Sequence, residues 1–200
     1  MEPKGRKWAL IGAASMALGA VAGAGYYLAR ERRTERPDYA LLDSDGDFEL
    51  RDYPPLLSAD ARVAGARKDA LGRGFRILAD YIFAKSRPGA AIEMTAPVLS
   101  DPAGEAGWRT RFLMPASFTR QTLPAAPAGV TIVEIPARRV AATRFAGMAG
   151  DQTLEAEEAA LRRWISDNDL IVQGPAEHAF YNSPMIPGPL RRNEIWIPVA

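Results

Sequence analysis

Apolar and polar residues alternate most clearly at the C-terminus of the chain. Residues 190–198 read Leu-Arg-Arg-Asn-Glu-Ile-Trp-Ile-Pro, which predicts a strand with one face in a core. A weaker copy, Arg-Thr-Arg-Phe-Leu-Met-Pro, occupies residues 109–115, and this alignment pairs Phe112 with Ile195 and Met114 with Ile197. The two strands indicate that one structural unit occurs twice.

A second pair of segments supports the duplication. Residues 54–65 and 136–147 both begin with proline and end in Arg-apolar-Ala-Gly, and a short strand pattern precedes each of them. After each Ala-Gly the apolar residues recur at helical spacing, with Asp69 and Asp151 as predicted helix caps. The apolar positions are Leu71, Phe75, Leu78 and Ile82 in the first helix, and Leu154, Leu161 and Ile165 in the second.

Each half ends in further predicted strands. These cover residues 91–97 and 109–115 in the first half, and 178–184 and 192–198 in the second. Two β-α-β-β units predict an α+β domain with a pseudo-two-fold axis, in which an antiparallel sheet forms a distorted β-barrel with two helices against it. A cleft along such an axis would suit a small apolar ligand.

The N-terminal region predicts a membrane anchor. After a basic tail, residues 1–7, residues 8–29 carry no charged side chain and are long enough to cross a hydrocarbon core of roughly 30 Å. A cleaved signal peptide is the alternative, but the arginines of the charged linker, residues 30–38, favour an uncleaved single-pass helix. We expect the domain, residues 39–200, on the extracytoplasmic side. Gly19 and Gly23 have the spacing of a helix contact and suggest a homodimer.

Composition and charge exclude several function classes. A hydrophobic content of 48% and a charged content of 24% are typical of a globular domain, and a net charge of +1 argues against nucleic-acid binding. The chain has no cysteine and a single histidine, His178, so thiolate chemistry and His-rich metal sites are excluded. Since no nucleophile and base pair is visible, we assign no catalytic residue and expect a protein that is not an enzyme.

Several segments together resemble the SOUL haem-binding protein family over residues 46–199. The resemblance implies a barrel similar to the effector-binding domains of GyrI-like ligand sensors. It also implies non-covalent binding of haem or another tetrapyrrole in a shallow apolar groove beside the first helix. The matching segments are residues 48–55, 81–83, 92–98 with its Met-Thr-Ala-Pro, 111–115, 135–141, and 190–197 with its Arg-Arg-Asn-Glu-Ile-Trp.

The resemblance also implies residues for the groove. The wall would be formed by Leu71, Phe75, Leu78, Ile82 and Phe83 of the first helix and by Met185, Ile186 and Pro187 of the loop before the last strand. The family positions proposed to neutralise the haem propionates correspond to Gly72, Asp80 and Ile186, none of which is basic. Arg73 and Arg76, with Lys68 nearby, are the candidate replacements, because a guanidinium binds a carboxylate bidentately. The alternative is that they form a solvated helix face.

Iron ligation has three candidates. His178 can offer a neutral imidazole, and Tyr181 or Met185 can serve instead. The alternative for His178 is an ordinary strand residue without a role in binding. The expected function is thus a membrane-tethered protein that buffers or carries haem.

Two glutamates suggest an alternative function. If Glu93 or Glu194 points into an apolar cleft, its pKa would rise and it could act as a general base in a low-turnover enzyme, either tetrapyrrole-modifying or hydrolytic. The simpler interpretation is that these residues pair with arginines such as Arg192 and Arg111. A protein-interaction scaffold is the third function considered.

Overall fold

The computed structural model describes residues 34–104 and 107–200, and Glu35–Ala200 form one compact unit. The basic tail, the predicted anchor at residues 8–29 and its Gly19 and Gly23 lie outside the described residues and stay predictions. Within the described part, neither helix combines the length and the apolar character that a bilayer crossing requires.

The described residues form nine strands and two α-helices, with a short 3-10 turn at Gly188–Leu190. The first half contains β1 (Ala40–Asp45), β2 (Phe48–Tyr53), β3 (Leu56–Ala64), α1 (Arg67–Ile82), β4 (Val98–Pro102) and β5 (Gly107–Leu113). The second half contains β6 (Thr131–Ile135), β7 (Arg138–Ala146), α2 (Asp151–Asp167), β8 (Glu177–Phe180) and β9 (Arg192–Val199).

The strand order confirms the duplication. All strands belong to one antiparallel sheet in the order β1-β2-β7-β9-β8-β4-β5-β3-β6. The equivalent strands of the two halves are β2 and β6, β3 and β7, β4 and β8, and β5 and β9. When each strand from β2 to β6 is replaced by its equivalent, the order reads the same from either end. The first strand of each unit is exchanged, since β2 pairs with β7 and β6 pairs with β3. The sheet is a curled half-barrel and not a closed barrel, because the terminal strands β1 and β6 do not pair with each other.

The register corrects the alignment of the last strands. Ala64 pairs with Gly107 in the first unit, and Ala146 pairs with Arg192 in the second. Gly65 and Gly147, which follow these alanines, have positive φ values of 111° and 104°, so Ala64 and Ala146 are equivalent positions. Their strand partners, Gly107 and Arg192, are therefore equivalent as well. The counterpart of Phe112 is therefore Ile197 and not Ile195. A shift of two residues keeps the alternation of faces, so the pattern alone could not detect it.

Two predicted strands are wrong or shorter. Residues 91–97 form no strand apart from an isolated bridge between Thr95 and Glu35, and β4 begins only after Pro97, which has no N–H for a ladder. The strand predicted at residues 178–184 ends at Phe180. The N-cap residues of the two helices also differ from the prediction.

Neither helix has a side-chain cap. The N-cap residues are Ala66 and Gly150, while Asp69 and Asp151 lie inside the first turns, where a carboxylate favours the positive end of the helix dipole.

Both helices pack on the same face of the sheet, which we call the outer face. The paired residues Ile195, His178, Ser100 and Thr110 form a row across four strands and therefore share that face. α1 packs on β3 and β5, and α2 packs on β7 and β9. The opposite, inner face carries Tyr53, Leu99 and Trp196 in a separate cluster. The outer face thus holds two helix-covered cores on either side of β4 and β8.

Candidate functional site

A cleft of about 490 Å³ lies on the outer face between α2, the start of α1 and the β4–β5 end of the sheet. Its size is within the range of small-molecule sites, roughly 300 to 1,000 Å³. Its apolar lining comes from β4, β5, α2 and the loop before β8, and its charged lining comes from the two helices. The lining residues are Arg67, Pro102, Trp108, Asp151, Leu154, Glu155, Glu158, Arg162, Pro175, Ala176 and His178.

His178 lines this cleft from the sheet. The residue is 6% exposed and belongs to β8, where it pairs with Ile195 on one side and with Ser100 on the other. Its ring lies 5.7 Å from the ring of Trp108 and 6.5 Å from that of Phe180, measured between centroids. The predicted imidazole therefore lies in a cleft, and its role as a ligand stays a prediction.

The His178 ring is neutral and unpartnered. Burial lowers its pKa to about 4, and the nearby positive charge of Arg67 acts in the same direction, against the opposing effect of Glu158, Asp101 and Asp151. Nδ1 is buried without a hydrogen-bond partner, and the side chain makes no hydrogen bond with any described residue. A neutral imidazole of this kind retains a free lone pair for a metal ion or a donor.

The rim of the cleft carries both charge signs. Arg67 pairs with Asp151, and Arg162 pairs with Glu158 at 2.8 Å. Glu155 is exposed and forms no ion pair with a described residue. The rim therefore holds two guanidinium groups and three carboxylates, and both arginines have surface carboxylates as partners.

The predicted groove wall on α1 is only partly accessible. Leu71 and Phe75 are half-buried, and the Phe75 ring meets Phe112 edge-on at 5.1 Å. Leu78 and Ile82 are completely buried in the core below the helix, so in this conformation they offer no surface to a ligand. Phe83, at the C-terminal end of the helix, is 46% exposed.

The two predicted arginines of α1 lie on its exposed side. Arg73 donates a hydrogen bond to the carbonyl of Ala64, and Arg76 donates from Nε to the carbonyl of Gly72 at 3.3 Å. Neither forms an ion pair with a carboxylate of the described residues. Their role as propionate partners stays a prediction.

The loop before β9 is attached to the segment that precedes α2. Arg191 holds the loop through hydrogen bonds to the carbonyls of Ile186 at 2.8 Å and Pro184 at 2.6 Å, and it also contacts Met148. Ile186 is buried, whereas Met185 is 79% exposed. These contacts do not join the loop to α1, so the two predicted halves of the groove wall are not brought together by them.

Tyr181 lies on the inner face, opposite to His178. Its hydroxyl donates to Glu194 Oε2 at 2.8 Å, and the Arg192 guanidinium lies 4.3 Å from its ring centroid. Burial, together with the charge of Glu194, raises its pKa well above the usual value. Because the hydroxyl is occupied and faces away from the cleft, Tyr181 and His178 cannot belong to one iron site.

Glu194 is an ionised carboxylate within a dense set of donors. Burial raises its pKa, but the hydrogen bonds and the charge of Arg51, with Arg192 and Trp196, outweigh that effect and lower the pKa to about 2. The donors are Arg51 Nη1 and Nη2, Arg192 Nε and Nη2, the Tyr181 hydroxyl and Trp196 Nε1, at 2.6 to 3.2 Å. The interpretation of Glu194 as a base with a raised pKa is therefore wrong, and the pairing with Arg192 is confirmed.

Sequence reasoning missed the principal partner of Glu194. Arg51 is fully buried on β2, and the strand β7 separates it from Glu194 on β9. The signal available in the sequence was an arginine two residues before Tyr53 in a predicted strand, but the pairing of Arg51 with Glu194 depends on the strand order. Glu93 is exposed and does not pair with Arg111.

A second ion-pair network fills the other end of the inner face. Arg111 donates to Asp101 at 2.7 Å and to Glu177 at 3.1 Å, and Glu177 also accepts from Arg138 at 2.7 Å. Arg109 pairs with Asp101 at 2.6 Å. In the part of the chain that the structure describes, no group of three or more metal-binding side chains converges.

A family model described as SOUL heme-binding protein matches residues 34–198. The chain belongs to the SOUL family. The resemblance seen in the Met-Thr-Ala-Pro and Arg-Arg-Asn-Glu-Ile-Trp segments is thus confirmed, and membership indicates that the protein binds haem or a related tetrapyrrole. No curated protein matches this SOUL sequence.

Solved structures share the fold of this SOUL protein. The C-terminal domain of EcmrR is 15% identical, with a TM-score of 0.58, and the match covers 81% of this chain and 98% of that domain. A hydrolase from Listeria innocua is 10% identical, with a TM-score of 0.55, and the match covers 80% of this chain and 94% of the hydrolase. At such identities the similarity shows the fold alone.

Proposed function

We propose that this SOUL protein binds haem or another tetrapyrrole non-covalently and buffers or carries it while residues 8–29 tether it to a membrane. The observation that carries the proposal is the family match over residues 34–198, and the outer-face cleft adds a neutral imidazole beside apolar side chains.

The cleft offers apolar surface beside charged residues of both signs. A tetrapyrrole presents a flat apolar ring, and Pro102, Trp108 and Leu154 offer apolar surface that gains about 25 cal/mol per Å² removed from water. When bound, haem would supply an iron atom, and His178 is the side chain of the cleft that could coordinate it. Its two propionates require cations or hydrogen-bond donors at the rim.

The contacts of Glu194 on the inner face favour a carrier over an enzyme that uses a buried glutamate as a general base. Each oxygen of Glu194 accepts hydrogen bonds from at least two side chains, so no proton can be taken up there without breaking an ion pair. Glu93 is exposed to solvent. The inner-face charges therefore serve the stability of the fold.

Titration of haemin into the full chain in lipid nanodiscs tests the ligand. We expect a saturable change of the Soret band at micromolar haemin and one haem per chain, after subtraction of empty nanodiscs that absorb haem non-specifically. A titration that matches the empty nanodiscs would overturn the proposal.

The tether is tested separately. The full chain should stay in the membrane fraction after alkaline carbonate washing, and a chain that lacks residues 8–29 should be released. Release of the full chain would contradict the tether while leaving haem binding intact.

A further inference from the structure

Three large apolar side chains are exposed at one end of the domain, and we call them the methionine patch. Met148, between β7 and α2, is 64% exposed, while Met185 and Leu190, in the loop before β9, are 79% and 62% exposed. Arg191 joins the two segments, since its guanidinium contacts Met148 Sδ at 3.3 Å and donates to the two carbonyls that flank Met185. The patch is therefore one surface.

The loop holds this patch outward through its own backbone. Pro184, Pro187 and Pro189 fix the backbone φ at three of its positions. Ile186 is only 3% exposed and attaches the loop to the domain, whereas its neighbour Met185 stands in solvent. Because contiguous apolar side chains on a surface usually mark an interaction site, the patch is expected to have a partner.

The surroundings of the patch are basic. Residues 144–150 and 178–193, which contain the patch, carry no acidic side chain. Arg36 is exposed and lies 5.3 Å from the ring centroid of Tyr181, which precedes the loop. Neither Arg36 nor Arg191 forms an ion pair with a carboxylate of the described residues. Apolar side chains beside unpaired cations are typical of surfaces that bind anionic bilayers.

The chain enters the domain at the same end. The carbonyl of Glu35 accepts a hydrogen bond from Ala96 N at 2.8 Å, just before β4. Its carboxylate accepts from Ala116 N at 2.7 Å, just after β5. The start of β4 lies beside the end of β8, because Val98 pairs with Phe180, and the end of β8 lies beside the start of β9. Glu35 and the loop before β9 therefore share one end of the central strands.

The length of the linker brings this end close to a bilayer. Residues 30–34 separate the predicted anchor from Glu35, and this segment spans at most about 20 Å when fully extended. A chain tethered through residues 8–29 therefore holds Glu35 within about 20 Å of the membrane. A protein partner fits the patch less well, because a stable protein interface uses about 20–30 residues on each side.

We propose that the methionine patch docks on the anionic bilayer to which the chain is tethered. Met148, Met185 and Leu190 enter the headgroup region, and Arg36 and Arg191 contact lipid phosphates. The inference rests on the proposed tether and goes beyond it, because it gives the domain a fixed orientation. The loop before β9 faces the lipid, and the C-terminal end of β9 points away from it.

A single spin label tests this orientation, since the chain has no cysteine of its own. In the full chain, in nanodiscs that contain phosphatidylglycerol, a nitroxide on Met185→Cys should lie about 5–10 Å into the headgroup–acyl boundary. Oxygen should then relax it several-fold more strongly than a water-soluble nickel complex does. Leu190→Cys is a second position with the same expected result.

Ile171→Cys is the matched control. Ile171 is 64% exposed, as much as the patch residues, and its backbone pairs with Ala200 beyond the end of β9. Because β9 is about 23 Å long, this label is far from the loop and should stay accessible to the nickel complex.

Lipid charge gives a second readout on the Met185→Cys label. Arg36→Gln should lower the ratio of immersed to water-exposed label about fivefold with phosphatidylglycerol, and it should have no effect in phosphatidylcholine alone. Arg163→Gln removes an exposed cation about 18 Å along α2 from its first residue and should leave the ratio unchanged. Arg191 is left intact, because its loss would release the loop.

The outcomes separate this inference from the proposed function. Immersion of the label at Met185 but not at Ile171 supports docking. Labels that are nickel-accessible at both positions, in a full chain that resists carbonate, overturn the inference and leave the tether and haem binding intact. Spin–spin broadening between Met185 labels means that a second copy covers the patch, which also overturns it. Release of the full chain by carbonate removes the tether, and the inference fails with it, whereas the haemin titration is unaffected.

Discussion

Arg51 and Glu194 form a two-point ion pair on the inner face although 143 residues separate them in the chain. Nη1 lies 2.8 Å from Oε2, and Nη2 lies 3.2 Å from Oε1. The pair reaches across β7 and so links the first repeat to the last strand. Both side chains are buried, which makes the loss of one partner much more costly than the net value of the pair.

Removal of Glu194 alone should be strongly destabilising. Glu194→Leu removes the carboxylate that Arg51 and Arg192 share and leaves Arg51 with Glu49 alone, so we expect the free energy of unfolding to fall by about 3 kcal/mol, the lower end of the range for a broken buried pair. Arg51→Met should cost less, since Arg192 still neutralises Glu194. The double variant should recover part of the loss in urea denaturation.

The exposed pair of Arg139 and Asp52 is the control. Both side chains are about two-fifths exposed, at 41% and 42%, so Arg139→Met should change the stability by less than about 1 kcal/mol. If Arg139→Met and Glu194→Leu lowered the free energy of unfolding equally, the assignment of Glu194 as a buried, paired anion would be contradicted.

His178 should make the protein less stable as the pH falls from 6.5 to about 4. The folded-state pKa, about 4, is below the ordinary value of 6.5. In that interval the unfolded chain binds more protons, so the free energy of unfolding decreases as the pH decreases. The loss from this residue is on the order of 3 kcal/mol and is complete below pH 4.

Denaturation of the wild type and His178→Phe at several pH values isolates this effect. The difference in stability between the two should change across the interval from 6.5 to 4, because the other titrating groups are common to both. A constant difference would show that the folded-state pKa of His178 is close to normal.

Two glycines of α1 should respond in opposite directions to alanine. A Cβ at Gly74 would lie 2.5 Å from Thr110 Oγ1 on β5, so Gly74→Ala forces the helix off the sheet and should cost about 1–3 kcal/mol. Gly72 is exposed with no atom near its added Cβ, so Gly72→Ala should stabilise the helix by about 0.5–1 kcal/mol. Thermal or urea unfolding measures both, and a stable Gly74→Ala would contradict the close contact.

The equivalent glycines after β3 and β7 should both resist substitution. Gly65 and Gly147 have φ values of 111° and 104°, a region that other residues rarely adopt. Gly147→Ala meets no neighbouring atom, so its expected cost of about 1–3 kcal/mol is purely conformational. Urea unfolding should place it near Gly65→Ala and well apart from Gly72→Ala. Neutral behaviour of Gly147→Ala would mean that the backbone there adapts easily.

The repeat itself was readable from the sequence. Alternation of apolar and polar residues predicted β5 and β9, and helical spacing predicted α1 and α2. The two Ala-Gly pairs predicted the turns before the helices. All three signals depend only on residues that are close in the sequence. The strand predicted at residues 91–97 failed because its apolar run is used for a loop that crosses to β4 and not for a ladder. The alignment of β5 with β9 failed by two residues, which leaves the alternation unchanged.

The family, the two repeats and the candidate residues were thus determined by the sequence alone. Only the tertiary structure decided which candidates share a surface. It placed His178 in the outer-face cleft and Tyr181 on the inner face, and it buried Leu78 and Ile82 below α1. It also joined Arg51 to Glu194 across β7. The physical reason is that local patterns fix periodicity, whereas the strand order, which brings distant residues together, depends on pairing across the whole sheet.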